Sequence, residues 1–296
     1  MNTASSDTSI PNTKKLKSVT IIGVGLISGS FALSLKDKKL ADYIIGVSRT
    51  EASAKKAIEL GLVDEVMPLK DAVKNSELIY VAIPVDATIP VVYEILNLVN
   101  DTQIVADAGS TKYALSQAID NHPMRKRFVL THPMWGTEYS GPEAAVKNAF
   151  AGRGCVICDK QKSDADAVQL MEMLYTQLGM NIVYMNAEDH DVHAAYVSHI
   201  SHITSFALAN TVLEKEKEEE AIFELSGGGF ESTVRLAKSS ASMWVPVFMQ
   251  NKENVLDVLN EHITQLRKFK ASLEKENIGF LTELIENANK INKIIK

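Results

Sequence analysis

The chain has 296 residues and carries 31 Lys and Arg against 37 Asp and Glu, so its formal net charge is −6. At about 150 residues per domain, this length predicts roughly two domains, each large enough to bury a core. A mildly acidic chain with 46% hydrophobic residues is neither a general nucleic-acid binder nor intrinsically disordered, and two cysteines cannot hold together a disulfide-built secreted fold.

Residues 1–17 are polar, rich in Ser, Thr and Asn, and lack an apolar stretch. This composition predicts a flexible tail and not a signal peptide. The most apolar long segment, 77–99, is interrupted by Pro84, Asp86, Pro90 and Glu94, so we expect no transmembrane helix. These features favour a cytoplasmic protein.

Seven short, β-branched and mostly apolar runs follow the tail, and helical patterns separate the first of them. Strands that are apolar at nearly every position are typical of a parallel sheet covered by helices on both faces. We therefore predict an α/β domain with a doubly wound, mostly parallel sheet over residues 18–185. The predicted strands are 19–22, 43–47, 78–83, 103–106, 128–130, 155–158 and 182–184.

The pattern changes after residue 185, because only long helix-competent segments remain. Segment 193–212 contains no Asp, Glu, Lys or Arg, so a helix there must be buried nearly all round, in a core or in a subunit interface. We predict an all-helical second domain over residues 186–296 and a homodimer that covers this uncharged helix.

A glycine-rich turn joins the first predicted strand to a helix and reads GVGLISG over residues 23–29, with Ser28 at the third glycine position of GxGxxG. The N–H groups and the dipole of a helix N-terminus in this setting bind the pyrophosphate of a dinucleotide. The strand–turn–helix context predicts such a site, the alternative being glycines that serve only packing. The residues assigned to the cofactor here are Gly23, Gly25, Leu26 and Ile27.

The second predicted strand ends at Ser48 and Arg49, about 24 residues after Gly25. Sites that prefer NAD usually carry Asp or Glu at this point, where it holds the ribose 2′-hydroxyl. A hydroxyl and a guanidinium suit a 2′-phosphate instead, so we expect NADP to be preferred over NAD. NAD remains open, because Arg49 can also stack on the adenine without contacting a phosphate.

Four further segments place polar groups after strands, on the uncharged helix, and shortly before Trp244. They read DAGSTK at 107–112, HPMWGTE at 132–138, SHISH at 198–202 and GGGFESTVRLA at 227–237. Together and in this order, they resemble the prephenate/arogenate (cyclohexadienyl) dehydrogenase family of tyrosine biosynthesis. The resemblance implies a Rossmann-like domain followed by a helical dimerisation domain, with the active site in the cleft between them.

The resemblance also implies oxidative decarboxylation of prephenate to 4-hydroxyphenylpyruvate with NAD(P)+. A hydride leaves the carbinol carbon, the hydroxyl loses its proton, and loss of carbon dioxide makes the ring aromatic. A neutral imidazole can accept that proton, and His132 matches the family's catalytic histidine. A structural histidine at a strand end is the alternative.

Other site residues are assigned through the same resemblance. Ser110 matches a serine that hydrogen-bonds the histidine and the substrate hydroxyl, and it is also a candidate N-cap for a helix beginning near Lys112. Arg235 matches an arginine that binds a substrate carboxylate, its alternative being a surface ion pair. Ser198 and His202 match positions that line the substrate pocket, although a core histidine is the alternative for His202.

Glu138 matches a glutamate that helps to gate the pocket, the alternative being a solvated loop carboxylate. At His190, arogenate-selective relatives tend to carry an acid that pairs with the ammonium of arogenate, so histidine favours prephenate, although Asp189 and Asp191 flank it. The remaining assignments are Trp244 to the substrate and Pro84 to the cofactor. The chain departs from the family at Ser201, where proline is frequent, and at Glu231, where some relatives carry lysine.

Several other interpretations compete with this one. Four histidines lie within 13 residues, from His190 to His202, but no acidic or cysteine ligand completes a zinc set, so we expect no metal. The CxxC at 155–158 lies in a predicted strand, where its sulfurs project to opposite faces, so we expect no redox motif. A related two-domain hydroxyacid dehydrogenase and a non-catalytic NADP(H)-sensing dimer remain alternative functions.

Overall fold

The computed structural model describes residues 15–217 and 222–294. Most of the predicted tail, residues 1–14, lies outside the described residues. The first strand begins at Leu16, three residues before the predicted start at residue 19, so residues 16 and 17 belong to the sheet and not to the tail. The reason is that Leu16 is fully buried in the core and pairs with Ala41 of the neighbouring strand.

Eight strands form a single sheet in the order β3-β2-β1-β4-β5-β6-β7-β8. Their bounds are β1 Leu16–Ile22, β2 Ala41–Val47, β3 Glu65–Val66, β4 Leu78–Val81, β5 Ile104–Asp107, β6 Phe128–Pro133, β7 Gly154–Cys158 and β8 Asn181–Met185. Neighbouring strands are parallel except for β6 and β7, which are antiparallel. The prediction of a doubly wound, mostly parallel sheet is confirmed.

Within the described residues, six α-helices accompany the sheet and six follow it. They are α1 Leu26–Asp37, α2 Glu51–Glu59, α3 Leu69–Lys74, α4 Val85–Leu98, α5 Tyr113–Ile119, α6 Ala165–Gln177, α7 Ala187–Ala194, α8 Ile200–Glu216, α9 Gly228–Val234, α10 Ala241–Gln250, α11 Lys252–Glu274 and α12 Ile278–Asn289. In the described part of the chain, no strand follows Met185, which agrees with the predicted change to helices.

Strands β4 and β5 are buried at every position, because helices cover both faces of the sheet. On one face, Phe31 stacks on Tyr80 with ring centroids 4.1 Å apart, and Tyr175 packs beside them. The hydroxyl of Tyr175 is 2.7 Å from that of Thr131, the residue before His132. The core therefore reaches directly to the end of β6.

The uncharged segment 193–212 runs through the end of α7, a π-turn at Ala195–His199, and most of α8. Within this chain only Ala194, Ala195, His199 and Ser205 of that segment are buried. The prediction of all-round burial in a core is therefore wrong for the single chain, because no other described element covers the outer face of α8. The alternative, a subunit interface, stays a prediction. No helix among residues 15–217 and 222–294 is long and apolar enough to cross a bilayer.

Candidate active site

The turn after β1 contains two glycines with different surroundings. The backbone requires glycine at the first, and the second faces open space. Gly23 has a φ of +85°, and a Cβ there would lie 2.6 Å from the carbonyl oxygen of Ala82. A Cβ on Gly25 would meet no atom within 4 Å. Gly25 is the N-cap of α1, so the open space lies at a helix N-terminus and fits a dinucleotide pyrophosphate.

Ser28, at the third glycine position, is buried within the turn. Its Oγ accepts a hydrogen bond from the backbone N–H of Gly25 at 3.0 Å and donates one to the carbonyl oxygen of Gly23. The close contact between α1 and its neighbours is made at Gly29, where a Cβ would lie 2.8 Å from the Cβ of Ala145. The serine therefore holds the turn together, and the next residue provides the close approach.

The ends of β2 and β4 lie beside the glycine turn, because β1 is hydrogen-bonded to both strands. Ser48 donates its hydroxyl proton to the carbonyl oxygen of Thr50 at 3.1 Å. Arg49 is exposed and makes no ion pair with a described residue. Pro84 is the N-cap of α4 at the end of β4. Leu26 and Ile27 are the first residues of α1. All the predicted cofactor residues therefore lie at the edge of the sheet where the carboxyl ends of β1, β2 and β4 meet.

His132 lies inside β6 and not after it, because antiparallel pairing with β7 extends the strand and pairs His132 with Val156. The residue is only 9% exposed. Its Nδ1 is 2.8 Å from Nε2 of His190, whose own Nδ1 is 2.8 Å from Oδ1 of Asp191. The Nε2 atom of His132 makes no hydrogen bond with a described residue, so it is the ring nitrogen available to a ligand.

The pKa of His132 is held well below its ordinary value of 6.5. Burial is the largest cause, and the neighbouring His190, Lys112 and His199 also disfavour a positive charge on the ring. His132 is therefore neutral near pH 7, which is the state that a proton acceptor requires.

A buried ion pair fixes the segment after β5 against β6. Lys112 and Asp107 are both fully buried, and Lys112 Nζ donates hydrogen bonds to Asp107 and, at 2.8 Å, to the carbonyl oxygen of Thr131. Asp107 also accepts from the backbone N–H groups of Gly109 and Thr131, at 2.9 and 3.1 Å. These bonds offset the cost of burying two charges, and they hold the backbone beside His132 in place.

The carboxylate of Asp191 caps α5 from another part of the chain. Its Oδ1 accepts from the backbone N–H of Lys112 at 2.7 Å, and its Oδ2 accepts from that of Tyr113 at 3.0 Å. The alternative in which Ser110 caps this helix is therefore wrong, because α5 begins at Tyr113 and Asp191 satisfies its first N–H groups. Ser110 Oγ makes no hydrogen bond with a described residue, and the Nδ1 position of His132 is taken by His190.

An aromatic cluster forms where α8 meets α10. The His202 ring stacks on Trp244 with centroids 3.5 Å apart and planes inclined by 27°. His202 Nδ1 donates to the carbonyl oxygen of Ser198 at 3.0 Å, and its Nε2 makes no hydrogen bond with a described residue. Trp244 is nearly buried, and in the described structure its indole N–H has no acceptor, a situation that costs about 1–3 kcal/mol. A ligand acceptor that entered the cluster would satisfy this donor.

An ion pair connects the loop after β6 to the helical part of the chain. Arg235 Nη1 is 2.9 Å from Oε2 of Glu138, and the arginine side chain is 51% exposed while the glutamate is 13% exposed. A backbone hydrogen bond and then Arg235 hold the pKa of Glu138 below its usual value. Arg235 was predicted to bind a substrate carboxylate and Glu138 to gate the pocket. In this structure the two side chains pair with each other instead.

Comparison with known proteins assigns this arrangement to a family. The family description "Prephenate dehydrogenase, nucleotide-binding domain" matches residues 31–184, and "Prephenate dehydrogenase, dimerization domain" matches residues 186–287. The chain belongs to the prephenate dehydrogenase family. Prephenate dehydrogenase of Bacillus subtilis (strain 168) is 30% identical to it, over 91% of this chain and 74% of that protein. Cyclohexadienyl dehydrogenase of Zymomonas mobilis is 27% identical over 95% of this chain and 96% of that protein.

A solved structure of prephenate dehydrogenase from Aquifex aeolicus, in complex with hydroxyphenyl propionate and NAD+, has a TM-score of 0.88 to this chain. The two are 30% identical, and the match covers 96% of this chain and 100% of the other. The resemblance predicted from the four motifs is confirmed, as is an NAD(P)-dependent dehydrogenase with a Rossmann-like domain followed by helices. A related hydroxyacid dehydrogenase and a non-catalytic sensor are no longer supported.

Four positions that the sequence analysis singled out can now be placed in the fold, and His190 is the one that differs from the expectation. His190 was expected to face the substrate, but it is 2% exposed and lies behind His132. Ser198 lies in the π-turn, a rare conformation that is frequent at functional sites. Ser201, at the position where the family often has proline, lies in α8, and the helix continues through it without a break. Glu231 lies in the first turn of α9.

The two cysteines of β7 fit a structural position. Cys155 and Cys158 are buried free thiols, and burial raises both pKa values, that of Cys158 to about 12. A thiol with such a pKa is not a nucleophile near neutral pH.

Sequence reasoning missed three residues that organise the site: Asp107, Lys112 and Asp191. Asp107 and Lys112 stood at the two ends of the DAGSTK motif, and the charge of Asp107 directly after the apolar residues 104–106 signals a buried partner. Asp191 was noted only as a neighbour of His190. Its partners lie 78 and 79 residues away in the chain, so no local pattern identifies it.

Proposed function

We propose that this protein catalyses the oxidative decarboxylation of prephenate to 4-hydroxyphenylpyruvate in tyrosine biosynthesis, with NADP+ as the preferred hydride acceptor. The observation that carries the proposal is the state of His132, which is neutral, buried and hydrogen-bonded at Nδ1, with Nε2 free at the edge of the sheet that also bears the open glycine turn. A proton acceptor next to a dinucleotide site is what the oxidation of an alcohol requires.

The residues that would hold the cofactor are those at the ends of β1, β2 and β4. Gly23, Gly25, Leu26 and Ile27 offer the turn and the helix N-terminus to the pyrophosphate. At the end of β2, Ser48 and the unpaired Arg49 are available to a ribose 2′-phosphate, and Pro84 lines the neighbouring edge. When bound, the cofactor accepts the hydride from the carbinol carbon of the substrate.

His132 takes the hydroxyl proton at Nε2 as the carbinol becomes a carbonyl. Loss of carbon dioxide then leaves the electron pair of the broken bond in the ring, and the resulting phenolate oxygen takes a proton back from His132. In this proposal Ser110, three residues after β5, hydrogen-bonds the same oxygen. General-base assistance of this kind is worth about 10²–10⁴-fold in rate.

The helical part supplies the substrate contacts in this proposal. Arg235 binds a substrate carboxylate through its planar guanidinium, which requires Glu138 to release it. The stacked rings of His202 and Trp244, with Ser198 nearby, pack against the substrate.

In this proposal prephenate is preferred over arogenate: His190 lies behind His132 and not against the substrate, and the carboxylates on either side of it are committed to other partners. Asp191 accepts two backbone hydrogen bonds and one from His190, and Asp189 accepts from the side chain of Asn186 at 2.8 Å. An ammonium substituent would find no free negative partner there.

We further propose that the enzyme is a homodimer that works in the cytoplasm. The family match to a dimerization domain supports the dimer, as do apolar side chains such as Val197, Leu266 and Leu273, each more than half exposed in the helical part. Two free thiols are typical of a reducing compartment.

The experiment that tests the activity is a reduced-nicotinamide absorbance assay in which prephenate and arogenate are each paired with NAD+ and NADP+. We expect the fastest turnover with prephenate and NADP+, and a loss of about 10²–10⁴-fold in kcat for His132→Asn with unchanged NADPH binding. Preference for NAD+ would overturn the cofactor proposal alone, and preference for arogenate the substrate proposal alone. Absence of turnover in all four combinations, with folded protein, would overturn the proposed function.

A further inference from the structure

His132 is the first member of a buried hydrogen-bonded series that continues through His190 to Asp191. His190 and Asp191 are each 2% exposed, so water does not compete for these bonds. Both Asp191 oxygens accept backbone N–H groups, and an ionised carboxylate can only accept. The bond between Asp191 and Nδ1 of His190 therefore places a proton on that nitrogen.

The protonation of His190 determines the tautomer of His132. A neutral His190 with its proton on Nδ1 has a lone pair on Nε2, so His132 must donate from its own Nδ1. The lone pair of His132 is then on Nε2, the nitrogen that makes no hydrogen bond with a described residue. If His190 carried a proton on both nitrogens, it would donate to Nδ1 of His132 instead of accepting from it. His132 would then have its proton on Nε2, and that nitrogen could not accept another.

The base role proposed for His132 requires the first of these arrangements, because only a His190 that accepts a hydrogen bond at Nε2 leaves the lone pair of His132 on its own Nε2. The buried ammonium of Lys112 is close enough to lower the pKa of His132, and His199 lowers it as well. Asp191 accepts three hydrogen bonds, and two of them come from backbone N–H groups at the start of α5. The negative charge of its carboxylate is therefore distributed over these donors and His190. Asp107 is committed to Lys112.

From these contacts we infer that His190 is a positioning residue: it holds His132 in the Nδ1–H tautomer and directs the Nε2 lone pair to the substrate, while Asp191 orients His190. This inference rests on the proposed function of His132 as the base. It gives His190 a role different from the substrate contact expected from the sequence. It also makes the base depend on α7, the first helix after the sheet, because His190 and Asp191 both belong to that helix.

The tautomer can be read without any substrate, from imidazole nitrogen shifts of the full-length protein labelled with ¹⁵N-histidine, with His132→Asn providing the assignment. We expect His132 of the wild-type protein near pH 7.5 to have a protonated Nδ1 and an unprotonated Nε2. In His190→Leu, which keeps the volume but removes the acceptor, we expect the proton to shift toward Nε2. A wild-type His132 protonated on Nε2, or an unchanged spectrum in His190→Leu, would overturn the inference.

Kinetics of a matched pair of variants separate positioning from packing. His190→Gln keeps an acceptor for His132 and a donor for Asp191, whereas His190→Leu has neither. We expect kcat to fall by about 10- to 100-fold in His190→Leu, part of what a general base contributes, and to recover most of that loss in His190→Gln, with KM little changed in both. His193→Ala, an exposed histidine on the same helix, should match the wild type.

Equal losses in His190→Gln and His190→Leu, with both variants folded by thermal melting, would contradict the inference. So would a His190→Leu variant with wild-type kcat. If His190→Leu does not fold, the wild-type tautomer and the activity of His190→Gln still decide the question. Failure of the proposed function appears separately, as a wild-type protein that turns over neither substrate but still gives the Nδ1–H spectrum.

Discussion

Arg49 is the residue on which the cofactor preference depends. It is exposed at the end of β2, and the chain has no carboxylate between residues 47 and 50 to hold a ribose hydroxyl. A charge-assisted hydrogen bond to a 2′-phosphate is worth about 1.5–3 kcal/mol, so Arg49→Ala should raise KM for NADP+ by about 10- to 100-fold and leave KM for NAD+ within about twofold. Steady-state kinetics with each cofactor measure both values.

A control for this prediction is Lys55→Ala, which removes another exposed positive charge from α2. This variant should not separate the two cofactors. An equal rise of KM for NAD+ and NADP+ in Arg49→Ala would instead mean that the guanidinium stacks on the adenine, which both cofactors share.

Glu138 and Arg235 form an ion pair that a substrate carboxylate has to replace. Because the arginine is half exposed, the pair is worth only about 0.2–1 kcal/mol. We therefore expect Glu138→Gln to lower KM for prephenate by up to about fivefold, and Arg235→Lys to raise it by about 10-fold or more, since a lysine cannot make a bidentate contact. Initial rates over a range of prephenate concentrations test both. A higher KM in Glu138→Gln would show that the carboxylate contributes to binding in another way.

The turn between β1 and α1 allows cofactor binding to be separated from folding. Gly25→Ala introduces a Cβ into open space, so the melting temperature should stay within about 2 °C while Kd for NADPH rises at least about 10-fold, because the methyl group occupies the place of the pyrophosphate. Gly23→Ala places a Cβ against the carbonyl oxygen of Ala82 at a positive φ and should destabilise the fold itself. NADPH fluorescence titration and thermal melting distinguish the two effects. Unchanged NADPH affinity in Gly25→Ala would remove this turn from the cofactor site.

At the level of elements, the sequence predicts what short-range patterns determine. Seven runs of apolar residues correspond to β1, β2 and β4–β8, and the glycine turn follows β1 as expected. The two-residue strand β3 was missed, because Glu65 and Val66 have no alternating pattern and pair with β2 only along its edge. The early end assigned to β6 has a related cause, since the strand is prolonged by its antiparallel partner and not by its own composition.

Contacts between elements distant in the chain were the part that could not be predicted. The four motifs identified His132 and Ser110, but the bond to His132 Nδ1 comes from His190, 58 residues later. The cap of α5 likewise comes from α7, although a serine stood near the helix start in the sequence. A local pattern names the residue types that a site needs, whereas the partner of each depends on how the helices dock on the sheet.

The stability of the whole molecule should decrease below about pH 6.5. Burial lowers the pKa of His122, His132, His199 and His202, that of His199 to about 4. Between the unfolded value of 6.5 and the lower folded values, the unfolded chain binds more protons, so the free energy of unfolding falls as the pH falls. His199 alone accounts for a loss on the order of 3 kcal/mol by about pH 4.

Urea unfolding at a fixed protein concentration, at about pH 7.5, 6 and 5, measures this dependence. His199→Gln should flatten the curve, while His193→Gln, on the exposed side of α7, should not. An unfolding free energy that stays constant between pH 7.5 and 5 would contradict the prediction.

The uncharged segment 193–212 gives the last prediction, on assembly. A long helix without a charge, whose outer face is exposed in the single chain, requires cover, and a second copy of the same helix provides it. Light scattering should therefore give twice the chain mass of 32.5 kDa. Ala207→Glu places a carboxylate on the exposed face of α8, and because burying an unpaired charge costs several kcal/mol, this variant should dissociate. Ala52→Glu makes the same change on exposed α2 and should remain a dimer. A wild-type protein with the mass of one chain at micromolar concentration would refute the homodimer.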